Sequence, residues 1–586
     1  MSKWKTAEGN FRSFDGTGLF YRSWKQTAAI NRALIVIHRG HEHSGRVSNL
    51  VEELDLHDVW VFSWDCRGHG LSPGERGYAN SYYDLVKDLD AFVKFISERH
   101  GIPVENMVIL GNSVGAVTVS TWVHDYAPHI RGMVLVAPAF RIRLYVPLAI
   151  PLLRLLQRIR GKAFISSYVN SRMLTHDPEQ SRKYDEDDLI TRNIAVNILL
   201  GLHDTSTRVL ADAGAITTPT LILSAGSDWV VKKSAQQQFF EALSSPVKEM
   251  HLYPGFFHAV LYEKDRVQPI ARVRQFIKKA FGKPFETAFL IDQDQQGYTR
   301  EEYDRLRKPA SLLTAIRFSL QKWLMQTLGR LSAGVRLGWQ TGFDSGKSLD
   351  YVYENRARGT TFIGRMMDRQ YLNSVGWQGI RERRANIDAS LRWAIGAVDA
   401  AGLNIRIVDI AAGPGRYVLE VIKDLPADKV SVLLRDRDTG NLEAGAGLAR
   451  AMKLENVACE CADAFNRESL LSISPAPSIV IVSGLYELFP DNRPVLESLK
   501  GIAGVLQDGG YLIYTSQPWH PQIEMIARTL INRDGDPWIM RRRTQAEMDE
   551  LVRSVGMTKL LTRGDTHGIL TVSIAQKFRH DCTGQA

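Results

Sequence analysis

The chain has 586 residues, 44% hydrophobic and 23% charged, with 46 glycines and 22 prolines. It is too long for one compact domain, and its composition excludes collagen-like, mucin-like and wholly disordered chains. The formal charge of +9 suits nucleic acid, an anionic lipid surface or an acidic substrate. Four cysteines (Cys66, Cys459, Cys461, Cys582) are too few for a disulfide scaffold and lack paired CxxC spacing, so no metal is expected. The polar N-terminus, MSKWKTAEGNFRSFDG, has no apolar signal core, which predicts a cytoplasmic protein. The most apolar stretch, 144–156, holds two prolines and an arginine and falls short of the roughly 20 residues of a membrane span.

In chain order, short apolar runs at 34–37, 59–64, 107–110, 133–136, 220–223 and 249–253 alternate with amphipathic stretches. This predicts an α/β domain with a largely parallel sheet, covering 1–283. The rhythm stops between Pro138 and Pro219, which predicts a helical cap over about 139–218. From 284 to 345 a basic amphipathic connector is expected, with Leu312, Ile316, Leu320, Trp323, Leu324, Leu328 and Leu331 at helical spacing. A second α/β domain is expected over 346–586, with runs at 405–408, 430–434, 479–482 and 511–514 and a last pair near 558–562 and 570–575.

Gly111-Asn112-Ser113-Val114-Gly115 lies between a predicted strand and helix, the setting of a GxSxG nucleophile elbow. Ser113 is the candidate nucleophile. Asp228, in SAGSDWV after the 220–223 run, and His258, in YPGFFHAV after the 249–253 run, follow in the order acid, then base. The backbone N–H groups of Val114 and Gly40 are candidates for an oxyanion hole. Gly40 lies in HRGHEHSGR, whose three histidines also invite a metal reading, although the spacing is not HExxH.

HRGHEHSGR at 38–46, DCRGHGLS at 65–72, GERG at 74–77 and GNSVG at 111–115 resemble the monoacylglycerol lipase and lysophospholipase branch of the α/β-hydrolases, of the serine aminopeptidase S33 type. The resemblance covers roughly residues 10–280. It implies Ser113 as nucleophile, Asp228 as acid, His258 as base, and an ester of a lipid or other small acyl group as substrate. Arg39 departs from the usual glycine and Asn112 from the usual histidine.

In the second α/β block, Val408-Asp409-Ile410-Ala411-Ala412-Gly413-Pro414-Gly415 follows a strand, where small residues let the backbone approach a cofactor. The spacing is not GxGxxG. It resembles the first motif of class I S-adenosylmethionine-dependent methyltransferases, a Rossmann-like fold, with Ala411 where glycine is more frequent. The resemblance implies S-adenosyl-L-methionine held by Asp409, Ala411, Gly413, Gly415, Asp436 (with Asp438 as a substitute), Asp463 and Ser483. It also makes residues 351–384 a lid. Tyr486 and Glu487 are candidate bases; no NPPY, DPPY or Pro-Cys motif marks the acceptor. The whole chain resembles bacterial fusions of an α/β-hydrolase with a methyltransferase.

A bifunctional enzyme is expected, in which a serine ester hydrolase is joined to a methyltransferase and both act on lipid-derived or other small acyl substrates. One alternative makes the second domain a regulatory module that only binds S-adenosylmethionine; another, nucleic-acid modification, rests on charge alone. That charge is local. Seven basic residues and no acidic one lie in 141–176, and the same holds for 305–343, which together exceed the net charge. Leucine-rich faces mixed with Arg and Lys predict a peripheral protein on an anionic membrane surface, the inner face for a cytoplasmic chain, or else two solvated helix faces.

Overall fold

The computed structural model describes residues 4–577 apart from 27–29, 284, 286 and 287; Cys582 lies outside the described residues. The chain divides into two compact units, Met1–Ala288 and Phe289–Ala586.

The first unit is built on an eight-stranded sheet of β1 (Lys5–Arg12), β2 (Gly18–Lys25), β3 (Ala33–Ile37), β4 (Trp60–Trp64), β5 (Met107–Asn112), β6 (Gly132–Val136), β9 (Thr220–Ala225) and β10 (Lys248–Tyr253), in the order β1-β2-β4-β3-β5-β6-β9-β10. From β4 to β10 neighbouring strands run parallel, and β3, β5, β6 and β9 are buried along their whole length, which is why they read as unbroken apolar runs. The antiparallel hairpin of β1 and β2 was not foreseen. Its β1 is mostly exposed and reads KTAEGNFR, without the apolar run used to find the others. Between β6 and β9 lie helices Ala149–Arg160, Pro178–Asp185 and Val196–Ala211 and a two-stranded ribbon of β7 (Phe164–Ser166) and β8 (Asn193–Ala195).

The second unit carries a seven-stranded sheet of β11 (Ile405–Ile410), β12 (Val430–Asp436), β13 (Val457–Cys461), β14 (Ile479–Val482), β15 (Tyr511–Ser516), β16 (Met557–Gly564) and β17 (Thr571–Lys577), in the order β13-β12-β11-β14-β15-β17-β16. It is Rossmann-like: β11 to β15 are parallel, β17 is antiparallel, and the order reverses between β11 and β14. The edge strand β13, VACEC, has no large apolar residue beyond Val457 and is mostly exposed, so it lacks the branched run that marks the others; its Cys459 and Cys461 are both exposed and unbridged.

From Phe289 onward the expected connector packs as part of the second unit. Its stripe forms the helix Leu312–Gln326, but that helix buries only Phe318. Leu312, Leu313, Ile316, Leu320 and Trp323 are all exposed, so the apolar face points outward.

Candidate active sites

The sharp turn after β5 places Ser113 in a left-handed conformation, φ +57° and ψ −110°, at the start of helix Val114–Tyr126. Its flanking glycines are required by contact. A Cβ on Gly111 would lie 2.6 Å from Ala116 Cα, and one on Gly115 would lie 2.8 Å from the His38 carbonyl oxygen. Strain of this kind, of order 1–3 kcal/mol, persists where the surrounding fold over-determines it.

Asp228 and His258 sit in the loops after β9 and β10, and the two strands bring them to Ser113. His258 Nε2 lies 2.8 Å from Ser113 Oγ, and its Nδ1 lies 2.8 Å from Asp228 Oδ2. All three are buried. The N–H groups of Val230 and Val231 donate to Asp228 Oδ1 at 2.7 and 2.9 Å. Burial alone would raise the Asp228 pKa, but the His258 imidazole and these N–H groups hold it below the usual carboxylate value. A carboxylate facing Nδ1 fixes the proton there and leaves Nε2 to accept from the serine.

Val114 opens its helix, so its N–H has no partner within the helix. Gly40 is adjacent, since a Cβ there would sit 3.2 Å from Val114 Cγ2. The neighbouring histidines have other partners. His38 Nε2 accepts from the Cys66 N–H at 3.1 Å and its Nδ1 faces the Arg39 carbonyl, while His43 Nε2 faces Asp187. Arg39, which sequence reasoning noted only as a departure, is buried against Glu42 in a two-bond ion pair and lies over the Tyr262 ring. A cavity of about 500 Å³ is lined by Gly40, Ser113, Val114 and His258 and roofed by Leu144, Leu152, Ile165, Ile198 and Leu202. Such a space admits an apolar chain above the serine.

In the second unit, β11 delivers Asp409 and the loop after it. Ala411, Gly413 and Gly415 all have positive φ, +55°, +56° and +63°. Nothing lies within 4 Å of a Cβ built on Gly413, so the loop offers an open cradle. Asp436, the last residue of β12, accepts from the Gly413 N–H at 2.8 Å and from the Asp438 N–H at 2.8 Å, which ties the loop to the next strand. Asp438 instead caps the following helix through the Gly440 N–H. Asp409 is fully buried; Tyr417 donates to its Oδ1 at 2.6 Å and Oδ2 has no partner. Burial pushes its pKa up to about 8. Asp463 is exposed at the end of β13 and Ser483 is half-buried after β14. An orphaned buried oxygen, an open glycine cradle and a carboxylate at the next strand end fit a nucleoside-bearing cofactor.

Two family models match, "Putative methyltransferase" over residues 273–577 and "Serine aminopeptidase, S33" over 28–265. The Escherichia coli protein described as "Uncharacterized protein YnbC" is 46% identical over 96% of this chain and 97% of its own length. Human monoglyceride lipase is 29% identical over 43% of this chain and 84% of its own, and the Bacillus subtilis phospholipase YtpA is 24% identical over 43% and 97%. The crystal structure of Paleococcus ferrophilus monoacylglycerol lipase covers 48% of this chain and all of its own, with 23% identity and a TM-score of 0.40. The chain thus belongs to the family described as "Putative methyltransferase", here with a lipase-like α/β-hydrolase domain of the serine aminopeptidase S33 type at its N-terminal side.

Proposed function

We propose that the first unit is a serine ester hydrolase acting on lipid-derived acyl esters and that the second is an S-adenosylmethionine-dependent methyltransferase. The hydrogen-bonded chain Ser113–His258–Asp228 beneath an apolar cavity carries the first assignment. Ser113 Oγ attacks the ester carbonyl while His258 Nε2 takes its proton. The N–H groups of Val114 and Gly40 stabilise the oxyanion, His258 returns the proton to the leaving alcohol, and water then releases the acyl group from Ser113. The relatives named as monoglyceride lipases support a lipid ester as substrate.

In the second unit Asp409, Ala411, Gly413, Gly415, Asp436, Asp463 and Ser483 would hold the cofactor. When bound it supplies an electrophilic methyl group. Our functional partition keeps 1–283 as the hydrolase, with 139–218 as its cap, and 346–586 as the methyltransferase, to which the 284–345 stretch contributes from Phe289 onward. A cytoplasmic protein peripheral on an anionic membrane is the setting we assign. No helix among the described residues is long and apolar enough to cross one. Supporting peripheral contact, helix Ala149–Arg160 buries none of its residues and exposes Leu152, Leu155 and Ile159 beside Arg154, Arg158 and Arg160.

Fluorophosphonate labelling of wild type and Ser113→Ala tests the hydrolase, which requires label on the wild type alone. Calorimetry with S-adenosylmethionine tests the second unit, and no heat of binding would remove it. Sedimentation with anionic liposomes should recover wild type and lose Leu155→Glu/Ile159→Glu; equal recovery would refute the membrane contact.

A further inference from the structure

The second unit encloses a cavity of about 980 Å³ that opens at the carboxyl ends of β14 and β15, beside the glycine loop's own sheet edge. Its wall is largely thioether and hydrocarbon: Met325, Met366, Met525, Met540, Trp377 and Leu530. Unbranched methionines line sites that accept flexible apolar bodies.

Polar side chains also line it, among them Asp344, Arg369 and Arg533; those at the sheet end are Arg383, Glu487, Gln517 and His520. Glu487, in the loop after β14, accepts from Thr515 Oγ1 at 2.6 Å through Oε1, and Thr515 Oγ1 in turn accepts from the Gly484 N–H at 2.8 Å. That relay fixes the carboxylate. Its other oxygen, Oε2, is buried without a partner, and so is Nε of Arg383, whose guanidinium lies beside Gly484 and feels the Glu487 charge. Tyr486, the other base candidate, is turned away, its hydroxyl paired with Ser498 Oγ at 2.9 Å. His520 Nδ1 accepts from the Gln522 N–H at 3.0 Å, so the neutral ring carries its proton on Nε2.

A buried carboxylate oxygen left unpaired carries the full cost of its desolvation, which a donor on a ligand would recover. A ligand carboxylate could face the Arg383 guanidinium, but it has no proton to give Glu487 Oε2 and would set its charge beside that of Glu487. A hydroxyl can donate. We propose, resting on the methyltransferase reading, that this cavity is the methyl-acceptor site, that the acceptor is a neutral hydroxyl on an apolar body, and that Glu487 is its general base. The acceptor oxygen forms a bond to the methyl carbon as the carbon–sulfur bond breaks; the bonding pair goes to sulfur, which neutralises the sulfonium, and the hydroxyl proton passes to Glu487 Oε2.

The test uses two probes with one hydrocarbon body, 4-nonylphenol and 4-nonylbenzoate, with the full chain. Wild type should bind the phenol more tightly than the benzoate in calorimetry and methylate it from labelled S-adenosylmethionine. Glu487→Gln should keep S-adenosylmethionine affinity, tighten 4-nonylbenzoate roughly tenfold because the like charge is gone, and lose about a hundredfold in single-turnover methylation. Thr515→Val, which frees the carboxylate, should lose a smaller factor. Benzoate preferred by wild type, benzoate affinity unchanged in Glu487→Gln, an unmethylated phenol, or an undiminished rate in Glu487→Gln would each overturn the proposal. Failure of wild type to bind S-adenosylmethionine would instead remove the methyltransferase reading itself.

Discussion

Asp228→Asn isolates the electrostatic part of the proposed triad. Asp228 divides its work between two oxygens, with Oδ1 fixed by the Val230 and Val231 N–H groups and Oδ2 facing His258 Nδ1. In the asparagine the two backbone donors keep the amide oxygen on their side, so the NH2 group meets Nδ1. The imidazole must then accept there and carry its proton on Nε2, the atom that faces Ser113 Oγ. A protonated Nε2 cannot take the serine proton. The same tautomer error in a trypsin-type triad lowers kcat by about 10⁴, equivalent to about 5 kcal/mol at 1.36 kcal/mol per decade. We expect a loss of that order with a soluble nitrophenyl ester and little change in KM, since the cavity wall is untouched. Circular dichroism should show an intact fold. A loss under tenfold with the fold intact would refute the assigned role of Asp228.

Ala411 occupies a left-handed backbone position, φ +55°, that costs a non-glycine residue about 1 kcal/mol. Ala411→Gly should therefore leave the melting temperature unchanged or raise it by a degree or two, whereas Ala412→Gly, at a buried neighbour, should lower it; a clear fall for Ala411→Gly would contradict the strain. Burial pushes the Asp409 pKa from the ordinary 3.8 up to about 8, so between those pH values the native state retains a proton that the unfolded chain has lost. Without cofactor, its stability contribution falls as pH rises from about 4 to about 8 and is flat above. Asp409→Asn should then be more stable than wild type near pH 8 and gain progressively less toward pH 4 in urea melts, and a gap that does not shrink would refute this.

Much of the hydrolase site was legible because its parts are tied to strand ends. A buried parallel strand is a continuous apolar run, and Ser113 and Asp228 stand out by type just beyond β5 and β9; His258 follows the half-buried edge strand β10 and stands out by its order after them. The glycine loop after β11 was legible for the same reason. The strands missed, β1, β2, β13 and the cap ribbon of β7 and β8, are edge elements or next to one, and what pairing stabilises there leaves little apolar pattern.

Spacing predicted a helical stripe over 312–331, and the structure makes it a helix over Leu312–Gln326 that breaks at Thr327 before a 3-10 turn, Leu328–Leu331. Which way the leucines face depends on which other surfaces are available to cover them, and the fold covers Phe318 and leaves Leu312, Ile316 and Leu320 in solvent. Tyr486 and Glu487 likewise carry equal weight in the sequence. Only the packing of helix Asn492–Val505, which brings Ser498 to the tyrosine, and of β15, which brings Thr515 to the glutamate, separates them. Local pattern depends on neighbours in the chain, whereas the partner of a buried polar atom depends on residues far along it.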